Sequence, residues 1–138
     1  MGEQTGAGAF VERRNTERAL RVLIVDDDRD IVGTLSGLLR AEGHVVHGLY
    51  SGNEVLPAVR LLRPDAVIMD LAIPEMSGFA VAQAIRHSFT DLRRPLLIAM
   101  SGVWHDFTDQ EIGRQVGFDH FLAKPADPAR LLQLIRGR

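Results

Sequence analysis

The sequence contains no cysteine among its 138 residues. That absence excludes disulfide bonds, thiolate nucleophiles and cysteine–zinc sites. No apolar run approaches the roughly 18 residues that a membrane span requires. The first residues, MGEQTGAGAF, also lack the apolar centre of a signal peptide. We therefore expect a cytoplasmic protein that does not associate with a membrane.

The sequence also has little excess of either positive or negative charge. Sixteen basic and eighteen acidic residues give a formal charge of −2, whereas a protein that coats nucleic acid is strongly basic. We therefore expect no nucleic-acid partner. Lysine itself is almost absent, because the basic residues are fifteen arginines and Lys124. A sole lysine in such a chain indicates a site that needs a compact point charge instead of a planar guanidinium.

The sequence divides into a short leader and one domain. Residues 1–19 are small, polar and charged without a sustained period. They are predicted to form a flexible arm, or to be a remnant of cloning, with a short helix as the alternative. Residues 20–138 have roughly the modal size of a single domain.

From Leu20 onward, short apolar runs alternate with segments of helical spacing. This alternation predicts an α/β fold, in which helices cover both faces of a parallel sheet. Pro57 should kink its helix or delay its start. Strands are predicted at 21–25, 44–50, 66–69, 96–100 and 120–123, and helices near 31–39, 55–62, 78–87 and 109–116 and from 128 onward.

Polar side chains follow four of the five predicted strands. They are Asp26, Asp27 and Asp28 after the first, Asp70 after the third, Ser101 after the fourth and Lys124 after the fifth. In open α/β sheets, ligands bind beyond the carboxyl ends of the strands. We therefore expect these groups to converge on one edge.

The group combines carboxylates, a hydroxyl and an ammonium. Clustered carboxylates repel one another unless a cation neutralises them, and hard oxygen ligands select Mg²⁺ or Mn²⁺ over zinc. An ionised carboxylate can attack phosphorus and form an aspartyl-phosphate. A hydroxyl and an ammonium can then bind the remaining phosphoryl oxygens.

Each residue also has a purely structural interpretation. Asp28 is expected to cap the next helix or face solvent, so it ranks below Asp26 and Asp27. Ser101 alone would be a turn residue, and Lys124 alone would be a surface charge. Because such polar residues follow four strands that end at the same edge, we favour a shared functional site over separate structural roles.

The sequence resembles the receiver domain of bacterial two-component response regulators. The blocks VLIVDDDRDI, DAVIMDLAIPEMSGFAVAQAIR, PLLIAMSG and GFDHFLAKPADPARLLQLI match that family in order and spacing across residues 20–136. The resemblance implies a flavodoxin-like, doubly wound parallel sheet of five strands in the order 2-1-3-4-5. The run GFDHFLAKPADPARLL is similar to receivers attached to hybrid histidine kinases, so the chain could be one domain of a larger protein.

The resemblance also assigns a phosphoacceptor and a metal site. Asp70 would accept the phosphoryl group. Asp27 would bind Mg²⁺ directly and Asp26 mostly through water, and Asp70 and the backbone carbonyl of Ala72 would complete the metal ligands. The family's phosphoryl donor is a histidine kinase or a histidine phosphotransfer protein.

The resemblance further assigns a switch. Ser101 would move toward the phosphoryl group, Lys124 would pair with that group, and Phe121 would repack as the switch aromatic. These changes would alter the face formed by the fourth helix, fifth strand and fifth helix, which is expected to bind an effector or a second copy of the chain.

Two positions depart from the family pattern. Ala72 and Val103, two residues beyond the phosphoacceptor and the switch hydroxyl, cannot orient a water by hydrogen bonding. We therefore expect slow self-dephosphorylation from a phosphoacceptor that is not a metabolic enzyme. Trp104 and His105 are bulky for their positions, and either shape a partner surface or pack a loop.

Three competing interpretations are weaker. A haloacid-dehalogenase phosphatase would use Asp26 as its nucleophile and Asp28 as the second carboxylate. However, Asp30 replaces the expected Thr or Val, and no acidic pair follows the lysine. A degenerate receiver that only binds partners would not need the complete set of site residues. Metal binding by His44 and His47 is disfavoured because residues three apart on a strand face opposite sides.

Overall fold

A computed structural model describes residues 18–90, 94–102 and 107–138. Within these residues the chain forms a five-stranded sheet, all of whose paired strands are parallel. Its order, β2-β1-β3-β4-β5, confirms the predicted 2-1-3-4-5 arrangement. The strands are β1 (Arg21–Val25), β2 (Val45–Leu49), β3 (Ala66–Asp70), β4 (Leu96–Ser101) and β5 (His120–Ala123).

One α-helix follows each strand, as the alternating pattern predicts. A single 3₁₀ turn, Gly52–Glu54, comes between β2 and its helix. The helices are α1 (Arg29–Ala41), α2 (Val55–Leu62), α3 (Gly78–Ser88), α4 (Phe107–Val116) and α5 (Pro128–Arg136).

Aspartate side chains cap two of the helices where they begin near the carboxyl edge of the sheet. Asp28 accepts hydrogen bonds from the N–H groups of Asp30 at 2.9 Å and Ile31 at 3.4 Å. Asp127 accepts one from Ala129 at 3.0 Å, with Pro128 at the first helical position. These carboxylates satisfy amides that have no partner within the helix, so the interpretation of Asp28 as a cap is confirmed.

Pro57 delays its helix without breaking it. The 3₁₀ turn precedes α2, and Pro57 is the third residue of that helix. In the first helical turn the backbone N–H groups lack an intrahelical acceptor, so proline sacrifices no hydrogen bond there. The predicted boundaries otherwise differ by one or two residues, as at β2 and α4.

The sheet is buried on both faces because successive side chains of a strand point to opposite sides. In β1, Val22 and Ile24 pack with α1 and α5, whereas Leu23 and Val25 pack with α2 and α3. All four are at most 1% exposed. The continuous apolar run of β1 is therefore the signature of a strand covered on both sides.

Several expectations fall outside the described residues. They concern residues 1–17 of the predicted arm and the positions Val103, Trp104 and His105. Within the part of the chain that the structure describes, every helix is too short or too polar to cross a lipid bilayer.

Candidate phosphoacceptor site

The predicted site residues meet at the carboxyl edge of the sheet. Asp26 follows the last residue of β1, Asp70 is the last residue of β3, and Ser101 is the last of β4. Lys124 follows β5, where its backbone N–H donates to the carbonyl of Ser101 at 3.0 Å. Parallel pairing of adjacent strands therefore unites groups that are as many as 98 residues apart in sequence, counting from Asp26 to Lys124.

Three carboxylates form the centre of the site. One oxygen each from Asp26, Asp27 and Asp70 lies within 4.8 Å of the others. Asp26 is fully buried and Asp70 is 5% exposed, whereas Asp27 faces solvent. The cluster therefore consists of two buried carboxylates, Asp26 and Asp70, and one solvent-exposed carboxylate, Asp27.

Backbone amides orient the two buried carboxylates. The N–H of Asp28 donates to Oδ1 of Asp26, and the N–H of Ala72 donates to Oδ1 of Asp70, both at 3.0 Å. Each bond spans two residues and closes a turn immediately after its strand. Residue types alone did not reveal these donors, because any residue except proline supplies a backbone N–H.

Lys124 connects the two buried carboxylates. Its Nζ lies 2.8 Å from Oδ2 of Asp70, in a hydrogen bond, and 2.7 Å from Oδ2 of Asp26. Burial by itself lowers the pKa of Lys124, but the contacts with Asp26 and Asp70 outweigh it and raise the pKa above its usual value. The lysine is therefore a fixed cation within the site.

One ammonium does not balance the negative charge of this cluster. Burial raises the pKa of Asp26, an effect that Lys124 opposes and the neighbouring Asp70 carboxylate reinforces. Oδ2 of Asp26 is buried and, among the described residues, lacks a partner aligned for a hydrogen bond, despite its close contact with Lys124. Three carboxylates beside one ammonium leave a surplus of negative charge on hard oxygen donors, which suits a cation such as Mg²⁺.

Ser101 and Ala72 lie at the rim of the cluster. Ser101 is 3% exposed, and its neighbour in the sheet is Ala123, the residue before Lys124. Ala72 is exposed and has no side-chain hydrogen-bonding group. The rim therefore combines a buried hydroxyl with a side chain that cannot hold a water.

The Phe121 ring packs against Gly113 of α4. A Cβ built at Gly113 would lie 2.6 Å from Cε1 of Phe121, so the missing side chain provides the space for the ring. The Phe118 ring centroid lies 6.1 Å away, and the Arg114 guanidinium carbon is 5.4 Å from the ring centroid of Phe121. Phe121 is half-buried in this position.

Arg86, a half-buried arginine that no sequence motif pointed to, holds the segment before β5 in place. Arg86 of α3 donates to the carbonyls of Gly117 and Pro95 and to Asp119 Oδ2, each at 2.7 Å. Asp119 Oδ2 also accepts the N–H of Leu97 at 2.8 Å. These bonds tie α3 to the starts of β4 and β5, and so help to position Phe121.

Two competing interpretations find no geometric support. Asp28, which a phosphatase would require as a second catalytic carboxylate, is exposed and caps α1. His44 is buried and accepts the N–H of Leu20 at Nδ1, whereas His47 is exposed. The two histidines therefore form no common metal site.

A comparison with protein families covers all five strands of the sheet. A family model described as the response regulator receiver domain matches residues 22–136. The DNA-binding response regulator MtrA of Mycobacterium leprae is 35% identical over 118 residues, which are 86% of this chain and 50% of that protein. The transcriptional regulatory protein PrrA of Mycobacterium tuberculosis is 34% identical over 116 residues, or 84% and 48% of the two chains. The chain thus spans about half the length of these curated relatives.

Solved structures agree with the fold. The chemotaxis response regulator CheY4 of Vibrio cholerae superposes with a TM-score of 0.78 at 27% identity, covering 86% of this chain and 98% of that one. A putative response regulator from Chloroflexus aurantiacus gives a TM-score of 0.77 at 27% identity, covering 87% and 97%. The flavodoxin-like fold expected from the resemblance is therefore confirmed.

Proposed function

This chain belongs to the response regulator receiver family, and from that premise we propose that Asp70 accepts a phosphoryl group from a phosphohistidine of a partner protein. The donor is a histidine kinase or a histidine phosphotransfer protein. The observation that carries the proposal is the convergence of Asp26, Asp27, Asp70 and Lys124 at the carboxyl edge. The product is a signalling state of the protein itself, since no substrate is turned over and released.

The transfer exchanges one bond to phosphorus for another. An Asp70 carboxylate oxygen forms the new bond while the P–N bond of the phosphohistidine breaks. The imidazole nitrogen leaves with the electron pair and then takes a proton. The N–H of Ala72 and the ammonium of Lys124 hold the Asp70 carboxylate in one orientation, which contributes to the rate by positioning.

Asp26, Asp27, Asp70 and the backbone carbonyl of Ala72 would hold the Mg²⁺ ion, with Mn²⁺ as a substitute. Bound Mg²⁺ neutralises charge on a transferring phosphoryl group. Lys124 supplies a further positive charge to the phosphoryl oxygens.

The consequence of phosphorylation is a change in a surface. In our proposal the Ser101 hydroxyl turns toward the phosphoryl group and Phe121 leaves its seat on Gly113. This shifts an existing equilibrium at the face formed by α4, β5 and α5, which then binds an effector or a second copy of the chain. The relatives MtrA and PrrA are named as a DNA-binding and a transcriptional regulator, so the expectation of no nucleic-acid partner has no support from them.

The proposal predicts stoichiometric phosphorylation at one residue. Intact-mass analysis after incubation with acetyl phosphate and Mg²⁺ should show one added phosphoryl group in the wild type and none in Asp70→Asn. Asp27→Asn should be impaired, because it removes a metal ligand.

Asp28→Asn is the matched control. It removes a neighbouring carboxylate, but asparagine caps a helix as well as aspartate does. This variant should therefore be phosphorylated like the wild type. Beryllofluoride with Mg²⁺ should also change the fluorescence of the single tryptophan, Trp104, unless Asp70 is replaced. An unmodified wild type that also ignores beryllofluoride would favour the degenerate binding module.

A further inference from the structure

A cavity opens at the edge of the sheet opposite to Asp70, where the strands begin. Its volume is about 420 Å³. Arg21, on its wall, is the first residue of β1, and Asp65 and Pro95 directly precede β3 and β4. The cavity is therefore separated from the carboxylate cluster by the length of the strands.

Among the described residues, four arginines line this cavity, and Asp65 is the one carboxylate side chain beside them. Arg21 donates to the carbonyl of Arg63 at 2.7 Å, and Arg138 donates to the carbonyl of Asp65 at 2.8 Å. A carbonyl carries no net charge, so these bonds hold the guanidinium groups in place without neutralising them. Across the described residues, no carboxylate lies within ion-pair distance of Arg18, Arg21, Arg63 or Arg138.

Helix ends offset part of this positive charge. The carboxyl ends of α2, α3 and α5 come within two residues of lining residues, and each contributes roughly −0.5 of a charge. Together with Asp65 they offset about 2.5 of the four guanidinium charges that the described lining residues contribute. Some of the arginine charge is therefore balanced by the carboxyl ends of the helices, and the remaining positive charge attracts an anion.

The remaining lining is apolar. Val59, Pro64 and Pro95 are buried, and Phe89 is half-buried with the guanidinium carbon of Arg63 5.6 Å from its ring centroid. Arginine forks match phosphate oxygens in pairs, and the volume lies within the range of about 300–1,000 Å³ that is typical of small-molecule sites. We propose that this cavity binds a nucleotide, with its phosphate groups on the guanidinium groups and its ring system against the apolar lining.

Calorimetric titration of the whole chain with ADP and with GDP tests the proposal, with inorganic pyrophosphate as the comparison. EDTA in the buffer removes divalent cations, so the carboxylate site cannot contribute. We expect one saturable site for at least one of the two nucleotides. Because pyrophosphate cannot use the apolar lining, we expect it to bind at least about tenfold more weakly.

Variants place the binding in the cavity. The double substitution Arg18→Gln/Arg63→Asn removes two exposed guanidinium groups, and asparagine tolerates the positive φ of +47° at position 63. It should weaken nucleotide binding by about tenfold or more. Arg60→Gln, an exposed arginine of α2 outside the cavity, is the matched control and should leave the affinity unchanged, as should Asp70→Asn. Circular dichroism establishes that each variant is folded.

Three results would overturn the proposal. The first is the absence of saturable nucleotide binding at concentrations up to about 1 mM. The second is an equal loss of affinity in Arg60→Gln, which would indicate general attraction of anions to the surface. The third is pyrophosphate binding as tight as that of the nucleotides. None of these results affects phosphorylation of Asp70, so the two functions fail or succeed separately.

Discussion

Replacing Lys124 by methionine should destabilise the protein in the absence of Mg²⁺. The substitution keeps an unbranched side chain but removes the ammonium that lies 2.7 Å from Asp26 and 2.8 Å from Asp70. Those side chains are 0% and 7% exposed. Removing one partner of a buried ion pair costs about 3–5 kcal/mol, because the remaining charge is left unpaired.

The expected loss lies at the lower end of that range. Lys124 is 21% exposed, so water can replace part of its interaction with the carboxylates. We expect a decrease of about 3 kcal/mol in the free energy of unfolding at neutral pH, and a decrease of about 10 °C in Tm. Urea denaturation followed by circular dichroism, in EDTA, measures the first quantity.

A surface ion pair provides the matched control. Arg136 contacts Glu42 at 3.0 Å, but the two side chains are 54% and 36% exposed. Arg136→Gln should therefore cost less than about 1 kcal/mol. If Lys124→Met were no more destabilising than Arg136→Gln, the ammonium would not neutralise the buried carboxylates and the electrostatic reasoning would be wrong.

Cations and protons should each reverse the effect of Lys124→Met. Mg²⁺ at a hundred times its Kd should restore about 2.7 kcal/mol. Acidification should help as well, because burial raises the pKa of Asp26 above the unfolded value of 3.8. The folded protein therefore binds this proton more readily than the unfolded chain, and the cost of the ionised carboxylate disappears as the pH falls through the folded pKa. Failure of Mg²⁺ to stabilise the variant would contradict the proposed metal site.

Three further predictions concern the rim, the switch ring and the buried histidine. Ala72→Asn should shorten the lifetime of the phosphorylated protein by at least about tenfold, because the asparagine amide can orient a water molecule. Intact-mass analysis over time measures this lifetime, and decay of the phosphorylated wild type within seconds would contradict the prediction. Gly113→Ala should force the Phe121 ring off α4 at a cost of about 1–3 kcal/mol, from which alanine recovers about 1 kcal/mol of helix propensity. A gain in stability in urea denaturation would show that the ring is not confined. Burial lowers the pKa of His44, so the unfolded chain protonates first, and wild-type stability should fall as the pH drops below about 6.5. His44→Asn retains an acceptor for the N–H of Leu20 and should lose that component of the pH dependence; identical pH profiles for the two proteins would contradict it.

The architecture was predictable because the residue pattern within each strand agrees with the alternation of strands and helices along the chain. The run Val22–Val25 is apolar throughout and buried, as a strand covered on both faces requires, and carboxylates follow it directly. Since all five strands are parallel, their last residues necessarily share one edge. The positions of Asp70, Ser101 and Lys124 in the site therefore followed from the strand pattern, before any distance was known.

The details that depend on side-chain packing were not predictable. Nothing in the spacing of Asp26 and Lys124 shows that one ammonium contacts two carboxylates, or that a backbone N–H holds each carboxylate. The missing Cβ of Gly113 forms a seat for Phe121 only once α4 lies beside β5. The arginine cavity was also missed, because its residues are scattered over strand starts and helix ends that carry no motif.

The difference between Arg86 and Lys124 follows from what each cation contacts. Arg86 uses its planar fork to join two carbonyls and one carboxylate from different segments, each at 2.7 Å, a task that requires several directed donors. Lys124 instead places a single charge beside Asp26 and Asp70, at an edge where our proposal also requires space for a phosphoryl group. A guanidinium group at position 124 would keep the charge but spread it over a wide plane. The compact ammonium is therefore the cation suited to a site that must hold carboxylates together and still admit a second anion.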